Sequence, residues 1–284
     1  MKNIFKSNAK AGRVVAYIFL IILGYIMIYP LLWMVSAAFK NNQEIFGSLS
    51  LLPKQPVWDG FPQGWKGSGQ YSFGTFLFNT FALVLPTVFF TAASSILVAY
   101  GFSRFDFPFK KVLFSLMIAT LMLPATVIII PRYIFFKNLG WLDSYMPFIA
   151  PAFLGAFPFF NFMMVQFFRG IPKELDESAR IDGCGSFRTL VQILLPLCKP
   201  AIFSVVVFQF VWTWNDFFNA LIYISSVRKF PLALGLRLSL DISANVNWNQ
   251  ILAMSTVSII PPVLLFFAAQ QYFVEGITTS GLKD

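Results

Sequence analysis

Two short stretches concentrate the polar chemistry of a chain that is 57% hydrophobic and only 12% charged. In "VFQFVWTWNDFFN", Gln209, Trp212, Asp216 and Asn219 recur at i, i+3, i+7 and i+10, one face of a helix, with Trp214 and Asn215 beside them. Carboxamides, a carboxylate and indole faces bind polar ligands by hydrogen bonding and stacking. A carboxylate at mid-membrane depth costs on the order of 2.5–3.5 kcal/mol, so Asp216 is expected to face a cavity or a partner. The same set also fits hydrogen bonding to a neighbouring helix, with the tryptophans in an interfacial belt. Asn79, Asn161 and Gln166 are lesser candidates.

The second stretch, "IPKELDESARIDGCGSFRTLVQILLP", runs from Ile171 to Pro196 between long apolar runs. Pro172 suits a first helical turn, and Glu174, Asp176 and Glu177 suit the positive end of a helix. Ile171, Leu175 and Ala179 form a narrow apolar stripe at i, i+4 and i+8. Gly183 and Gly185 are expected to end this helix and Ser186 to cap a second one through Pro196. A helix this short is marginal alone, so something must pack against it. Its two cations, Lys173 and Arg180, face four anions, Glu174, Asp176, Glu177 and Asp182, a poor match to an anionic lipid surface and a better one to a protein.

Catalytic machinery is missing from the pattern. There is no histidine, and the two cysteines, Cys184 and Cys198, are too few for a thiolate metal site or a disulfide framework. No G-x-x-x-x-G-K-[ST] loop occurs, so nucleotide phosphates cannot be cradled in that way and energy must arrive in trans. Nor do the apolar runs carry a Ser/Lys or paired-Asp constellation for intramembrane hydrolysis.

The elements that must position these residues are membrane helices. Mean hydropathy is +0.71 over 284 residues, and six runs approach the ~20 apolar residues a bilayer requires. They lie at about 14–38, 76–101, 112–135, 146–168, 201–225 and 250–274; Pro124, Pro131, Pro147, Pro151 and Pro158 interrupt the third and fourth. The fold class is therefore all-α, a polytopic membrane protein read as one domain over 1–284. The first run exceeds a signal-peptide core and reads as a retained span. With the N-terminus inside, thirteen of the 21 Lys and Arg residues fall on the cytoplasmic side. That orientation puts both termini and the 169–200 loop in the cytoplasm, where both cysteines stay reduced. The net charge of +9 sits at the ends of apolar runs and reads as topology, not as a nucleic-acid surface. The outer segment from about 40 to 75, rich in Gly, Pro and Trp, reads as an irregular lobe that covers helix ends or meets a soluble partner.

The cytoplasmic stretch resembles the signature of permeases of binding-protein-dependent ABC importers: E-A-A, three residues, G, nine residues, I-x-L-P. Here it reads Glu177, Ser178, Ala179, "RID", Gly183, "CGSFRTLVQ", Ile193, Leu194, Leu195, Pro196, with Ser178 in place of the first alanine. "WTWNDFFNALIYI" and the C-terminal "YFVEGITTSGLKD" are similar to the sugar-importing, maltose-type branch of MalG-like subunits. The resemblance implies a bacterial cytoplasmic membrane location and a coupling helix that docks in a cleft on a cytoplasmic ATPase. Ser178 and Ala179 would allow close approach and Gly183 would make the turn. Glu177 and Asp182 would give polar contacts, and Ile193, Leu195 and Pro196 would anchor the loop. It further implies two ATPase subunits that hold ATP and Mg, a second similar permease and an extracytoplasmic solute-binding protein, with no cofactor on this chain. Gln209, Trp212, Trp214, Asn215, Asp216 and Asn219 then become candidates for the sugar pathway. Two other readings stay open: a permease for another polar solute such as an amino acid or phosphate, and a secondary transporter. The second lacks buried ionisable groups beyond Asp216 and Glu275.

Overall fold

The computed structural model describes the backbone of residues 2–48, 50–67, 69–241 and 246–280. The side chains of 2–11, 125, 241 and 271–280 are outside that description, so Lys2, Lys6, Lys10, Glu275, Lys283 and the resemblance carried by the C-terminal stretch fall beyond the described residues. Every regular element among the described residues is helical.

The helices, in chain order, are α1 (Lys2–Ala37), α2 (Asn42–Gly47), α3 (Gly60–Lys66), α4 (Phe73–Arg104), α5 (Lys110–Leu121), α6 (Ala125–Asn138), α7 (Met146–Phe153), α8 (Pro158–Arg169) and α9 (Glu174–Ile181). After them come α10 (Ser186–Thr189), a π-helical turn over Leu190–Leu194, α11 (Leu195–Leu197), α12 (Lys199–Trp214), α13 (Phe217–Tyr223), α14 (Leu232–Asp241) and α15 (Trp248–Ser280). Four segments are long and apolar enough to cross a bilayer without a sharp bend: Gly12–Ala37, Phe73–Arg104, Met146–Arg169, which is α7 and α8 in succession, and Trp248–Gln270. These correspond to the first, second, fourth and sixth expected spans.

The other two expected spans are bent. The run over 112–135 divides into α5 and α6, turned by 108° at a break where Pro124 is the N-cap of α6. A proline there removes a donor and disfavours helical continuation across the preceding residue. The run expected over 201–225 ends at Trp214; its bent partner lies upstream, Ser186–Leu197 turned by 78° from Lys199–Trp214. The π-helical turn over Leu190–Leu194 sits within that upstream arm and admits an extra residue into the helix.

Contacts group the chain into two units. One comprises Met1–Phe73 and Leu238–Ser258. In it, α2 and α3 give the outer lobe more order than its composition suggests. Asn41 caps α2, Val57 N–H donates to Phe39 O at 2.8 Å, and Asn249 Nδ2 donates to Asp59 Oδ1 at 3.0 Å. Gly60 is needed for close approach, since a Cβ there would stand 2.6 Å from Ala38 O. Lys40 is fully buried and donates from Nζ to Ser50 O.

The second unit comprises Gly74–Arg237 and Ile259–Asp284. On α4, Thr80, Thr87, Thr91 and Ser95 form a buried stripe of small polar residues. Thr80, Thr87 and Ser95 satisfy their hydroxyls on their own helix, for example Thr87 Oγ1 to Leu83 O at 2.7 Å, which permits close helix packing in an apolar setting. The core lies nearer the cytoplasmic end. There Ala99 of α4, Phe160, Met164, Val165 and Phe168 of α8, Ile171, Leu190, Leu194, Cys198, and Ala201 and Val205 of α12 pack into one cluster. The α8 members recur at helical spacing, which is why this short helix holds its face inward.

Candidate functional site

The polar cluster of the fifth apolar run is brought together, though not by one helical face. The α12 register ends at Asn215: its N–H still donates to Val211 O at 3.1 Å, but Asp216 N–H turns to Thr213 O at 3.3 Å and Phe217 N–H to Asn215 O at 2.8 Å. Asp216 (φ −75°, ψ 82°) then becomes the N-cap of α13. Its Oδ1 accepts Asn219 N–H at 3.1 Å, and Asn219 Nδ2 reaches Oδ1 and Oδ2 at 3.0 and 2.8 Å. The break, not a continuous periodicity, aims Gln209, Trp212, Asp216 and Asn219 into one cavity of about 620 Å³. That volume is in the range of small-molecule sites.

Within the cavity wall, Gln209 is buried and its Nε2 donates to Thr213 Oγ1 at 2.9 Å. Trp212 is 51% exposed and packs against Phe159 and Phe160 with ring centroids 5.1 and 5.2 Å away, leaving indole surface free for stacking. Trp214 and Asn215 point elsewhere. Trp214 is buried against Phe210 and Phe81, and Asn215 Nδ2 donates to Val211 O at 2.9 Å. The lesser candidates have structural partners: Asn79 Nδ2 donates to Arg228 O and Phe230 O, Asn161 Nδ2 donates to Gly155 O, and Gln166 is exposed.

Arg132 of α6, inside the third apolar run, lines this cavity with Trp141 and Tyr223. Its guanidinium interacts electrostatically with Asp216 and Tyr223. One signal could have revealed it: an arginine inside the apolar run "ATVIIIPRYIFF", where a lone charge at membrane depth is costly.

The cytoplasmic arm is the second candidate. α9 begins at Glu174, so Pro172 precedes the helix, and its acidic first turn holds Glu174, Asp176 and Glu177. Gly183 stands at φ +78°, the left-handed conformation expected of a glycine after a helix. Ser186 does not cap the next helix; Gly185 holds that place and no side chain caps α10. Glu177, Ser178, Asp182 and Gly183 are exposed, and Ser178 Oγ donates to Glu174 O at 2.9 Å. Of the expected stripe, Ile171 and Ala179 are buried while Leu175 stays exposed. Ala179 thus faces this subunit's own interior, whereas Ile181, 87% exposed, and Phe187, 74% exposed, flank Gly183 as apolar knobs. The inner end is held by Leu190, Leu194 and Cys198 in the core, with Ile193 and Leu195 half-buried and Pro196 exposed.

A third cluster lies on the outer side and was not anticipated. Asp143, at φ +54°, accepts N–H from Ser225 and Ser226 at 3.1 and 2.8 Å, Ser226 Oγ at 2.7 Å and Lys229 Nζ at 2.9 Å. Tyr145 OH donates to Lys229 O at 3.0 Å. This knot pins the segment after α13 beside the cavity. The Lys229 and Ser226 hydrogen bonds hold the Asp143 carboxyl well below the usual carboxylate range. Its stabilising contribution is therefore complete above the unfolded value near pH 4 and fades as pH falls below it. Asp143→Ala should lower the melting temperature of the detergent-solubilised protein by stranding two backbone N–H groups, about 1–2 kcal/mol for a partly exposed site, and should flatten the melting curve's acid dependence. An unchanged profile between pH 3 and 5 would remove this role.

Residues 92–279 match the family described as binding-protein-dependent transport system inner membrane component. A probable ABC transporter permease, YurM of Bacillus subtilis (strain 168), is 33% identical, covering 96% of this chain and 89% of its own. The sn-glycerol-3-phosphate transport system permease UgpE of Yersinia pestis bv. Antiqua (strain Antiqua) is 32% identical over 96% and 98%. The arabinooligosaccharides transport system permease AraQ of Bacillus subtilis (strain 168) is 29% identical over 95% and 96%. Among solved structures, a chain of a bacterial ABC transporter involved in import of the acidic polysaccharide alginate superposes with a TM-score of 0.81 at 22% identity, covering 92% of this chain and 95% of that one.

Proposed function

Because the chain belongs to the binding-protein-dependent transport system inner membrane components, we propose that it is one permease subunit of an ABC importer that carries a sugar or oligosaccharide across the bacterial cytoplasmic membrane. The observation that carries this reading is the exposed α9–Gly183 arm, whose residue spacing is that of the coupling element in such permeases. ATP and Mg belong on two cytoplasmic ATPase subunits, and the chemistry of hydrolysis is theirs. Closure of those subunits pushes the arm, and this permease and a second, similar one rock between inward-open and outward-open arrangements. A solute-binding protein delivers the sugar on the outer side.

Sugar as the substrate is supported by the relatives and by the cavity's mixture of indole, carboxamide and carboxylate. A second reading, an anionic sugar or sugar phosphate, is favoured by one residue, Arg132, and by the UgpE relative. Co-purification with the partner subunits, then ATPase stimulation over a panel of neutral, acidic and phosphorylated sugars with the binding protein present, decides between them. Solute transport in proteoliposomes lacking any ATPase subunit would overturn both.

A further inference from the structure

The coupling arm is gripped from within the subunit by a residue outside the signature. Arg104 is the last residue of α4, the span Phe73–Arg104, and so stands at the cytoplasmic surface. Its Nε meets Asp176 Oδ2 at 2.9 Å, with side chains only 6% and 16% exposed. Its Nη2 donates to Ile171 O at 3.0 Å. One guanidinium therefore pairs electrostatically with the first turn of α9 and hydrogen-bonds the residue that leads into it, two contacts that the compact ammonium of lysine would not place together. One turn earlier on α4, Tyr100 OH donates to Ser186 O at 2.8 Å, which fixes the far side of the Gly183 turn.

The energetics of such a pair decide what it is for. Two nearly buried charges gain little net stability over apolar residues of the same volume, because desolvation offsets their attraction. The pair nonetheless ties α9 to α4: the 2.9 Å ion pair, in which Nε and Oδ2 are not aligned as a hydrogen bond, acts together with the Nη2 bond to the Ile171 carbonyl and the Tyr100 bond to Ser186 to oppose sliding of α9 against α4. Resting on the reading of α9 as the coupling helix, we propose that Arg104 and Asp176 are positioning residues that lock the arm to the end of α4, so that a push on α9 moves that span instead of being absorbed in the 170–173 linker. Neither residue touches nucleotide or solute. Asp176 already has an intramolecular partner, so the acidic docking charges left to the ATPase are the exposed Glu174, Glu177 and Asp182.

The test is the number of solute molecules moved per ATP by the complete complex in proteoliposomes. Arg104→Gln should lower that ratio about tenfold, Asp176→Asn should do the same, and the double variant should be no worse than either, since all three remove one interaction. A merely structural role would reduce the yield of complex and leave the ratio unchanged. That result, or multiplicative losses in the double variant, overturns the proposal. If Arg104→Gln fails to accumulate, Asp176→Asn alone carries the test, because it leaves the cation near the Ile171 carbonyl. Glu177→Cys, at an exposed position, separates the two readings. If it does not cross-link to an ATPase subunit in the otherwise unaltered complex, the coupling assignment fails and this proposal with it. If it cross-links while the ratio in Arg104→Gln stays normal, only the proposal fails.

Discussion

Replacing Gly183 by aspartate is expected to reduce solute-stimulated ATP hydrolysis and uptake by the assembled transporter at least tenfold, with normal amounts of the subunit in the membrane. Gly183 occupies φ +78°, and a Cβ built there meets nothing within 4 Å in this chain. An L-residue in the left-handed region costs roughly 1–2 kcal/mol, and aspartate and asparagine tolerate it best. The fold should therefore survive, and the loss must come from what meets the tip between Ile181 and Phe187. Gly183→Asn keeps the bulk and the backbone tolerance without the charge and should be milder than Gly183→Asp. Gly183→Ala adds the strain with the least bulk. Proteoliposome ATPase and uptake assays, normalised to subunit by immunoblot, rank the three. Full stimulation and uptake in the aspartate variant would remove the arm from the coupling path.

How much of this was readable from residues alone follows from the range over which each feature is determined. The Gly183 turn is local: one glycine after a short amphipathic helix sets it, and the sequence states it directly. Apolar length likewise marks the four spans that lack a sharp bend. Periodicity, however, cannot tell which side of a stripe is covered, so Leu175 and Ala179 look equivalent in sequence although only Ala179 is buried. Breaks inside apolar runs are equally hidden. Proline is common in membrane helices that do not break, so Pro124 alone does not announce the 108° turn, and no proline marks the end of α12 at Trp214. Arg104 with Asp176, and Asp143 with Ser226, are separated by 72 and 83 residues, and no local pattern pairs them.

The break at Asn215 also gives Asp216 two duties that can be separated experimentally, and this carries the second large prediction. As N-cap of α13, Asp216 satisfies the Asn219 N–H; as a wall of the cavity, it offers a carboxylate beside Arg132 and Trp212. Asparagine caps a helix about as well as aspartate, whereas alanine forfeits about 1 kcal/mol. A hydrogen bond to a charged group is worth roughly 1.5–3 kcal/mol, which corresponds to about 10–100-fold in rate if solute makes it during passage. Asp216→Asn is therefore expected to slow uptake by at least about tenfold while the melting temperature and ATPase docking stay unchanged. Asp216→Ala should show the same transport defect together with a lower melting temperature. If asparagine leaves uptake intact and only alanine impairs it, in step with stability, then Asp216 is a helix cap and the solute path does not use its charge.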